Sequence, residues 1–256
     1  MRSTERFTDR VSDYSKYRPG YPDAVFDAID ERVNELRQSG LATLPRVAMD
    51  VGSGTGIFSR GLLTRGWTVH AIEPNREMRN AAERDLGREL AFHSHDATAE
   101  ASGLPDRSIG LVVAAQAFHW FDAGRCREEW TRVLVPGGVA CLVWNVRELG
   151  SPFMDAYERL LLELLPAYRE VTQRLAEPAA LRQFFSGALQ TRRFSHAQLF
   201  DWRSFLGRVQ SSSYALRSDQ PGYADFETGL RRLFDEHQGE GVVRFSYEAQ
   251  LTIGAL

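Results

Sequence analysis

The sequence predicts an α/β fold with a seven-stranded, mostly parallel sheet, an antiparallel last strand, helices on both faces and an extra helical cover. Three observations carry that expectation. Apolar runs of strand length alternate with stretches of helical period from Val47 to Asn145, as parallel strands joined by crossover helices do. The first run, Val47-Ala48-Met49-Asp50-Val51, opens directly into Gly52-Ser53-Gly54-Thr55-Gly56, where glycines let the backbone turn sharply and come close to a ligand. The chain closes on two longer runs, about 190–200 and 242–253, whose alternation suits an antiparallel pair.

Taken in order, residues 1–22 are polar and aromatic, with Phe7, Tyr14, Tyr17, Tyr21 and the turn Arg18-Pro19-Gly20-Tyr21-Pro22. They read as a strap on the domain edge or a lid. From Asp23 to about Ser39, Val25, Phe26, Ile29, Val33 and Leu36 recur at helical spacing, with Asp23 placed to cap the helix and Gly40 to end it. Strand one is Val47–Val51, and its helix runs from about Phe58 to Thr64. Strand two, Thr68–Ile72, ends at Glu73, and Pro74 sits near the first turn of the next helix. Strand three spans Leu90 to Ser94. His93 and His95 share a face there, but two histidines without a third ligand at suitable spacing do not make a metal site. Strand four, Ile109–Ala114, is apolar throughout, as a buried parallel strand is. A helix from about Cys126 to Leu134 follows, then the turn Pro136-Gly137-Gly138 and strand five, Val139–Asn145. Residues 151–185 exceed what a simple crossover needs. Phe153, Met154, Tyr157, Leu160, Leu161, Leu164 and Leu165 line one helix, and Leu175, Leu181, Phe184 and Phe185 a second piece. Beyond the strand at 190–200, Asp201 can cap a helix through Trp202, Phe205, Leu206 and Val209, and another passes Phe226, Leu230, Leu233 and Phe234.

Hydrophobic residues make up 43% of 256, ample for a core. A net charge of −3 gives no sign of nucleic-acid affinity. Cys126 and Cys141 show no ligand spacing, no signal segment opens the chain and no run reaches membrane-spanning length. A cytoplasmic protein, a monomer or homodimer without nucleic-acid or membrane partners, is therefore expected.

In an open parallel sheet, ligands bind outside the carboxyl ends of the strands. That places the glycine loop, Glu73, Gln116, His119, Trp120 and Asn145 at a common edge. Glu73 suits a ribose, because a carboxylate accepts hydrogen bonds from both hydroxyls of a diol. His119 is a candidate general base or substrate-orienting group.

The loop Asp50-Val51-Gly52-Ser53-Gly54-Thr55-Gly56, the strand ending in Glu73 and the turn Leu134-Val135-Pro136-Gly137-Gly138 together resemble the class I S-adenosylmethionine-dependent methyltransferases. The segments from Phe7 to Pro19 and from Ala117 to Phe121 are similar to the subgroup that includes trans-aconitate methyltransferase-like enzymes. The resemblance implies a Rossmann-like fold, S-adenosylmethionine as cofactor with S-adenosylhomocysteine as product, and a small-molecule acceptor. It implies a single domain over 1–256: N-terminal lid and helices at 1–45, cofactor-binding core at 46–146, helical insertion or substrate cover at 147–189, and a C-terminal strand-helix-strand at 190–256.

It further implies cofactor contacts from Tyr17, Arg18, Asp50, Gly52, Ser53, Gly54, Thr55, Gly56, Glu73, Pro74, Met78, Asp96, Ala97 and Gln116. Asp96 and Ala97 would meet the adenine edge. Tyr14, Tyr21, His119, Trp120 and Asn145 would face the acceptor, which is methylated on O, N or C and is compatible with a carboxylate. Three rivals stand beside this reading: a nicotinamide-dependent oxidoreductase, another use of the sulfonium (aminocarboxypropyl transfer or cyclisation), and a non-catalytic cofactor-binding protein. Ile57 stands where the dinucleotide fingerprint places its third glycine, which counts against the first.

Overall fold

The computed structural model describes residues 16–39, 44–165, 168, 183–212 and 214–256. Its strands are β1 (Val47–Val51), β2 (Thr68–Ile72), β3 (Phe92–His95), β4 (Ile109–Ala115), β5 (Leu134–Arg147), β6 (Ser186–Phe200) and β7 (Val243–Ala255). They form one sheet in the order β3-β2-β1-β4-β5-β7-β6. The first five are parallel, and β7 lies antiparallel between β5 and β6. The α/β class and the antiparallel last strand follow the sequence pattern. β3 starts and ends later than expected, and Pro136-Gly137-Gly138 is not a separate turn. Pairing jumps from Ile109 with Leu134 to Leu111 with Val139, so the Pro-Gly-Gly segment forms a bulge inside β5.

The described helices are α1 (Asp23–Gln38), α2 (Ile57–Leu63), α3 (Arg76–Leu86), α4 (Ala123–Val133), α5 (Pro152–Leu164), α6 (Trp202–Gln210) and α7 (Tyr223–His237). Val25, Phe26 and Ile29 of α1 pack with Phe58 and Leu62 of α2 on one face of the sheet. Cys126, Trp130 and Val133 of α4 close the other face with Phe118 and Leu104. Burying each such large side chain stabilises the fold by about 1.5–3 kcal/mol. The surplus sequence builds a third core. Phe153, Met154, Tyr157 and Leu161 of α5 pack with Phe205, Leu230 and Phe234 on Phe245 and Tyr247 of β7.

Four helix starts carry the side-chain cap that local chemistry favours: Asn75 on α3, Asp122 on α4, Ser151 on α5 and Asp201 on α6, each accepting from a backbone N–H of the first turn. The expected cap at Asp23 is not one; Pro22 holds that position and Asp23 lies inside the first turn. Pro74 precedes the cap of α3 and is not in its first turn. Tyr14, Gly40, Leu175 and Leu181 lie outside the described residues. Among the described residues no helix is long and apolar enough to cross a membrane.

The expected histidine pair gains a partner from β2. His70 Nδ1 lies 2.9 Å from His95 Nε2, and the His70 ring stacks on His93 at 4.9 Å. One imidazole pair is hydrogen-bonded and the other is face to face, so the nitrogens do not converge. Among the described residues no group of three or more potential ligands is arranged to hold a metal ion. Burial, then the neighbouring imidazoles, push His70 down to about 4, and His95 moves the same way. The unfolded chain thus binds more protons than the folded one between about pH 6.5 and 4. Stability should fall on acidification through that window. Urea unfolding of His70→Gln at pH 7 and pH 5 should show a smaller loss than the wild type; an equal loss would assign the acid sensitivity elsewhere.

Candidate functional site

The chain runs from β1 outward to β3 and then returns to β4 on the other side of β1. This reversal leaves a crevice at the carboxyl ends of β1 and β4. Gly52 follows β1 and Gln116 follows β4, and the two flank a cleft of two lobes that share Gly52, Ala115 and Gln116. The larger lobe, about 860 Å³ with its open mouth, falls in the range of small-molecule sites.

Glu73, Pro74, Asn75 and Met78 form one wall of the larger lobe, Thr98, Ala99 and Glu100 a second, and Ala117, Trp120 and Phe121 a third. Glu73 is nearly buried. Its Oε2 accepts from Gly54 N–H at 2.9 Å and its Oε1 from Asn75 N–H at 2.8 Å. Burial raises its carboxyl above the usual range, against the pull of those two N–H bonds and of Arg79. The glycine loop hangs on the end of β2: Gly52 N–H and Ser53 N–H both donate to Ile72 O. Gly52 has φ +65°, and a Cβ on it would lie 2.7 Å from Ala117 Cβ and 3.0 Å from the Phe121 ring.

The smaller lobe is polar. Asp50 is fully buried at its floor; Oδ2 accepts from Ser59 Oγ at 2.6 Å, while Oδ1 has no partner. The hydroxyls of Ser53 and Thr55 beside it are also buried without a partner. Burial, reinforced by the nearby Glu73 and partly offset by Ser59, raises the Asp50 carboxyl to about 7. Arg18, Tyr21 and Asn145 complete the lobe. Gln116 adopts a left-handed φ of +57°, uncommon outside glycine. Its Nε2 donates to Asn145 O at 2.9 Å, and the bond ties β4 to β5 across the cleft mouth.

The structure therefore gathers most of the expected residues: Arg18, Tyr21, Asp50, Gly52, Ser53, Gly54, Thr55, Glu73, Pro74, Met78, Gln116, Trp120 and Asn145 line one lobe or the other. Gly56 lies behind the loop, as the left-handed N-cap of α2. Others stand apart. Asp96 is exposed and pairs with Arg79 at 2.9 Å, whose Nη1 donates to Glu73 O; it braces the strand end instead of facing the cleft. Asp96 and its half-buried neighbour Ala97 are absent from the wall, where Thr98 and Ala99 stand. Tyr17 packs on Gly207 of α6. His119 lies tilted beside Trp120 in a 3-10 turn, their ring centroids 4.6 Å apart, but only Trp120 reaches the cleft wall. Asn145 Nδ2 donates to Gly20 O and its Oδ1 lies 2.9 Å from His196 Nε2, so it anchors the N-terminal strap.

Sequence reasoning missed Asn75, Thr98, Glu100 and Phe121. Asn75 had a signal, an Asn just before a helical run; the other three arrive from loops whose path no local pattern reveals.

Residues 49–142 match the family model described as a methyltransferase domain. An uncharacterized methyltransferase of Mycobacterium tuberculosis is 36% identical over 142 residues, 56% of this chain and 53% of the relative. An uncharacterized methyltransferase-like protein of Schizosaccharomyces pombe is 30% identical over 156 residues, 60% of this chain and 57% of the relative. The chain thus spans little more than half the length of these curated relatives. Among solved structures, one from Anaeromyxobacter dehalogenans, described as a proposed type II methyltransferase, superposes with a TM-score of 0.68 at 24% identity, covering 93% of this chain and 98% of the other. Residues 49–142 are thus similar in sequence to a methyltransferase domain, and the fold is similar to that of the Anaeromyxobacter structure.

Proposed function

We propose that this protein is an S-adenosylmethionine-dependent methyltransferase acting by direct displacement on an O, N or C atom of a small organic acceptor. The observation that carries the reading is the division of chemistry in the cleft. The larger lobe offers an apolar wall and the buried carboxylate of Glu73. The smaller offers Asp50, Ser53 and Thr55 with unsatisfied polar atoms beside Arg18. A nucleoside half and an amino-acid half fit those two surfaces. The methyltransferase-domain match over 49–142 and the methyltransferase names of the relatives support it.

The residues present suit the cofactor. Glu73 would accept the ribose hydroxyls, Met78 and Pro74 would pack against the base, and Asp50, Ser53, Thr55 and Arg18 would hold the amino-acid group. S-adenosylmethionine supplies a methyl group already activated by its sulfonium charge. The protein's part is then to place the acceptor and exclude water, and positioning of this kind is worth several kcal/mol. Trp120 and Phe121 provide the water-excluding wall. An acceptor that is already an anion needs no base.

Thermal unfolding with S-adenosylhomocysteine, and separately with NADH, tests the reading. Saturation at about a hundred times the dissociation constant should stabilise the fold by about 2.7 kcal/mol. A response to NADH alone would overturn the proposal. The pH dependence carries a further mark. A cationic amino group in the smaller lobe favours the ionised form of Asp50, whose carboxyl is raised to about 7 in the free protein. Binding therefore releases a proton, and affinity by calorimetry should rise from pH 6 to pH 8. An affinity flat across that range would detach Asp50 from the ligand.

A further inference from the structure

Beyond the smaller lobe lies a cluster that neither the sequence reading nor the cofactor explains. Arg147 sits two residues after Asn145 on β5, so both side chains leave the same face of the sheet. Its Nη1 donates to Tyr214 Oη at 2.8 Å and its Nη2 to Glu158 Oε2 at 3.1 Å and to Tyr168 Oη. The rings of Tyr157, Tyr168 and Tyr214 surround its guanidinium at 4.9 to 6.0 Å. Arg208 of α6, only 5% exposed, donates to Tyr247 Oη at 2.7 Å and to Ser212 Oγ at 3.0 Å. Among the described residues no carboxylate pairs with it. Arg18, in the wall of the smaller lobe, donates to Ser211 O beside Ser212.

Two guanidinium groups, Arg147 and Arg208, thus share one carboxylate, Glu158, among the described residues, and both are largely buried. Burying a charge without a counter-charge is costly, and the cost is offset when an anion completes the set. One donor of the cluster, Arg147 Nε, is buried without a partner, and the Tyr157 hydroxyl lies against that of Tyr214. The phenol of Tyr214 senses the same field. Burial alone would raise it, yet Arg147 and Arg208 outweigh burial and bring it down to about 8.

We propose that Arg147 and Arg208, with Tyr157 and Tyr214, form an oxyanion-holding subsite for the acceptor, which is therefore an anionic small molecule such as a carboxylate or phosphate ester. Arg147 supplies the planar fork that matches an oxyanion, and the tyrosine hydroxyls supply further donors. The inference rests on the methyltransferase reading for the word acceptor; the anion site itself does not.

The test is calorimetry on the full chain with benzoate, phenyl phosphate and neutral benzamide, with and without saturating S-adenosylhomocysteine. At least one anion should bind saturably and at least tenfold more tightly than benzamide. Arg208→Met and Arg147→Met should each lose that binding tenfold or more while S-adenosylhomocysteine affinity stays within twofold. Because these variants remove buried groups, a second measurement uses the unaltered protein. Absorbance at 295 nm should show one tyrosine ionising near pH 8, absent in Tyr214→Phe, and the binding anion should move that transition upward. Two anions binding no better than benzamide, or a Tyr214 transition that stays in place, would overturn the subsite. Anion binding without S-adenosylhomocysteine binding would instead remove the cofactor reading and leave the subsite standing.

Discussion

Glu73→Ala should weaken S-adenosylhomocysteine binding by about 1–3 kcal/mol, the loss that follows removal of a charged hydrogen-bond partner. The carboxylate is set in place before any ligand arrives. Gly54 N–H and Asn75 N–H each take one of its oxygens, and Arg79 holds the backbone carbonyl of the same residue. Alanine removes the diol acceptor and leaves two loop N–H groups without their partner, so unfolding free energy should fall as well. Glu73→Gln separates the two effects. The amide keeps an acceptor oxygen for one of the two N–H groups and sets its NH2 against the other, so stability should fall less than in Glu73→Ala while ligand affinity still drops. Calorimetry for affinity and urea unfolding for stability read the two quantities independently. Unchanged affinity in both variants would end the assignment of Glu73 to the ribose.

Gly52→Ala should abolish measurable cofactor binding and lower stability together. At φ +65° an alanine costs about 1–2 kcal/mol before any contact is counted. The contacts are severe: the new methyl would lie 2.7 Å from Ala117 Cβ and 3.0 Å from the Phe121 ring. Relief requires the 3-10 turn Phe118–Trp120 and its neighbours to move. Those neighbours form the third wall of the larger lobe, and Gly52 joins the two lobes. A melting temperature lowered by several degrees, with no calorimetric signal for S-adenosylhomocysteine, is the expected pair of results. Full-strength binding would show that the loop is not the cradle. Gly56 is the natural comparison. A Cβ there meets Leu86 Cδ1 at 2.6 Å, the end of a side chain on α3 instead of a cleft wall, so Gly56→Ala should damage stability more than affinity.

The parts of the molecule legible in the sequence are those set by neighbours along the chain. The strand Val47–Val51, its glycine turn and the helix after it follow from apolar run, left-handed loop and helical period, and β2 with Glu73 follows in the same way. The period-2 pattern of β7 announced an antiparallel partner in β6, because alternation records burial on alternate positions whatever the partner's distance in sequence. The glycine loop, Glu73 and Gln116 line the cleft because each lies at or just beyond a strand end, and strand ends define the crevice.

What sequence alone could not decide depends on groups brought together across the fold. Asp96 looked like a cleft residue by order in the chain, but Arg79, a turn into α3, draws it outward into a surface ion pair. His119 and Trp120 are adjacent in sequence, yet the 3-10 turn sends only the second to the cleft wall. The shared imidazole contacts of His70, His93 and His95 exist only because β2 and β3 pair in a particular register, His70 opposite His93. The guanidinium cluster joins β5, α5, α6 and β7 across about a hundred residues of chain. Local patterning records how a residue is buried; which charges meet in that burial is set by packing, and packing alone made Arg147, Arg208 and Tyr214 neighbours.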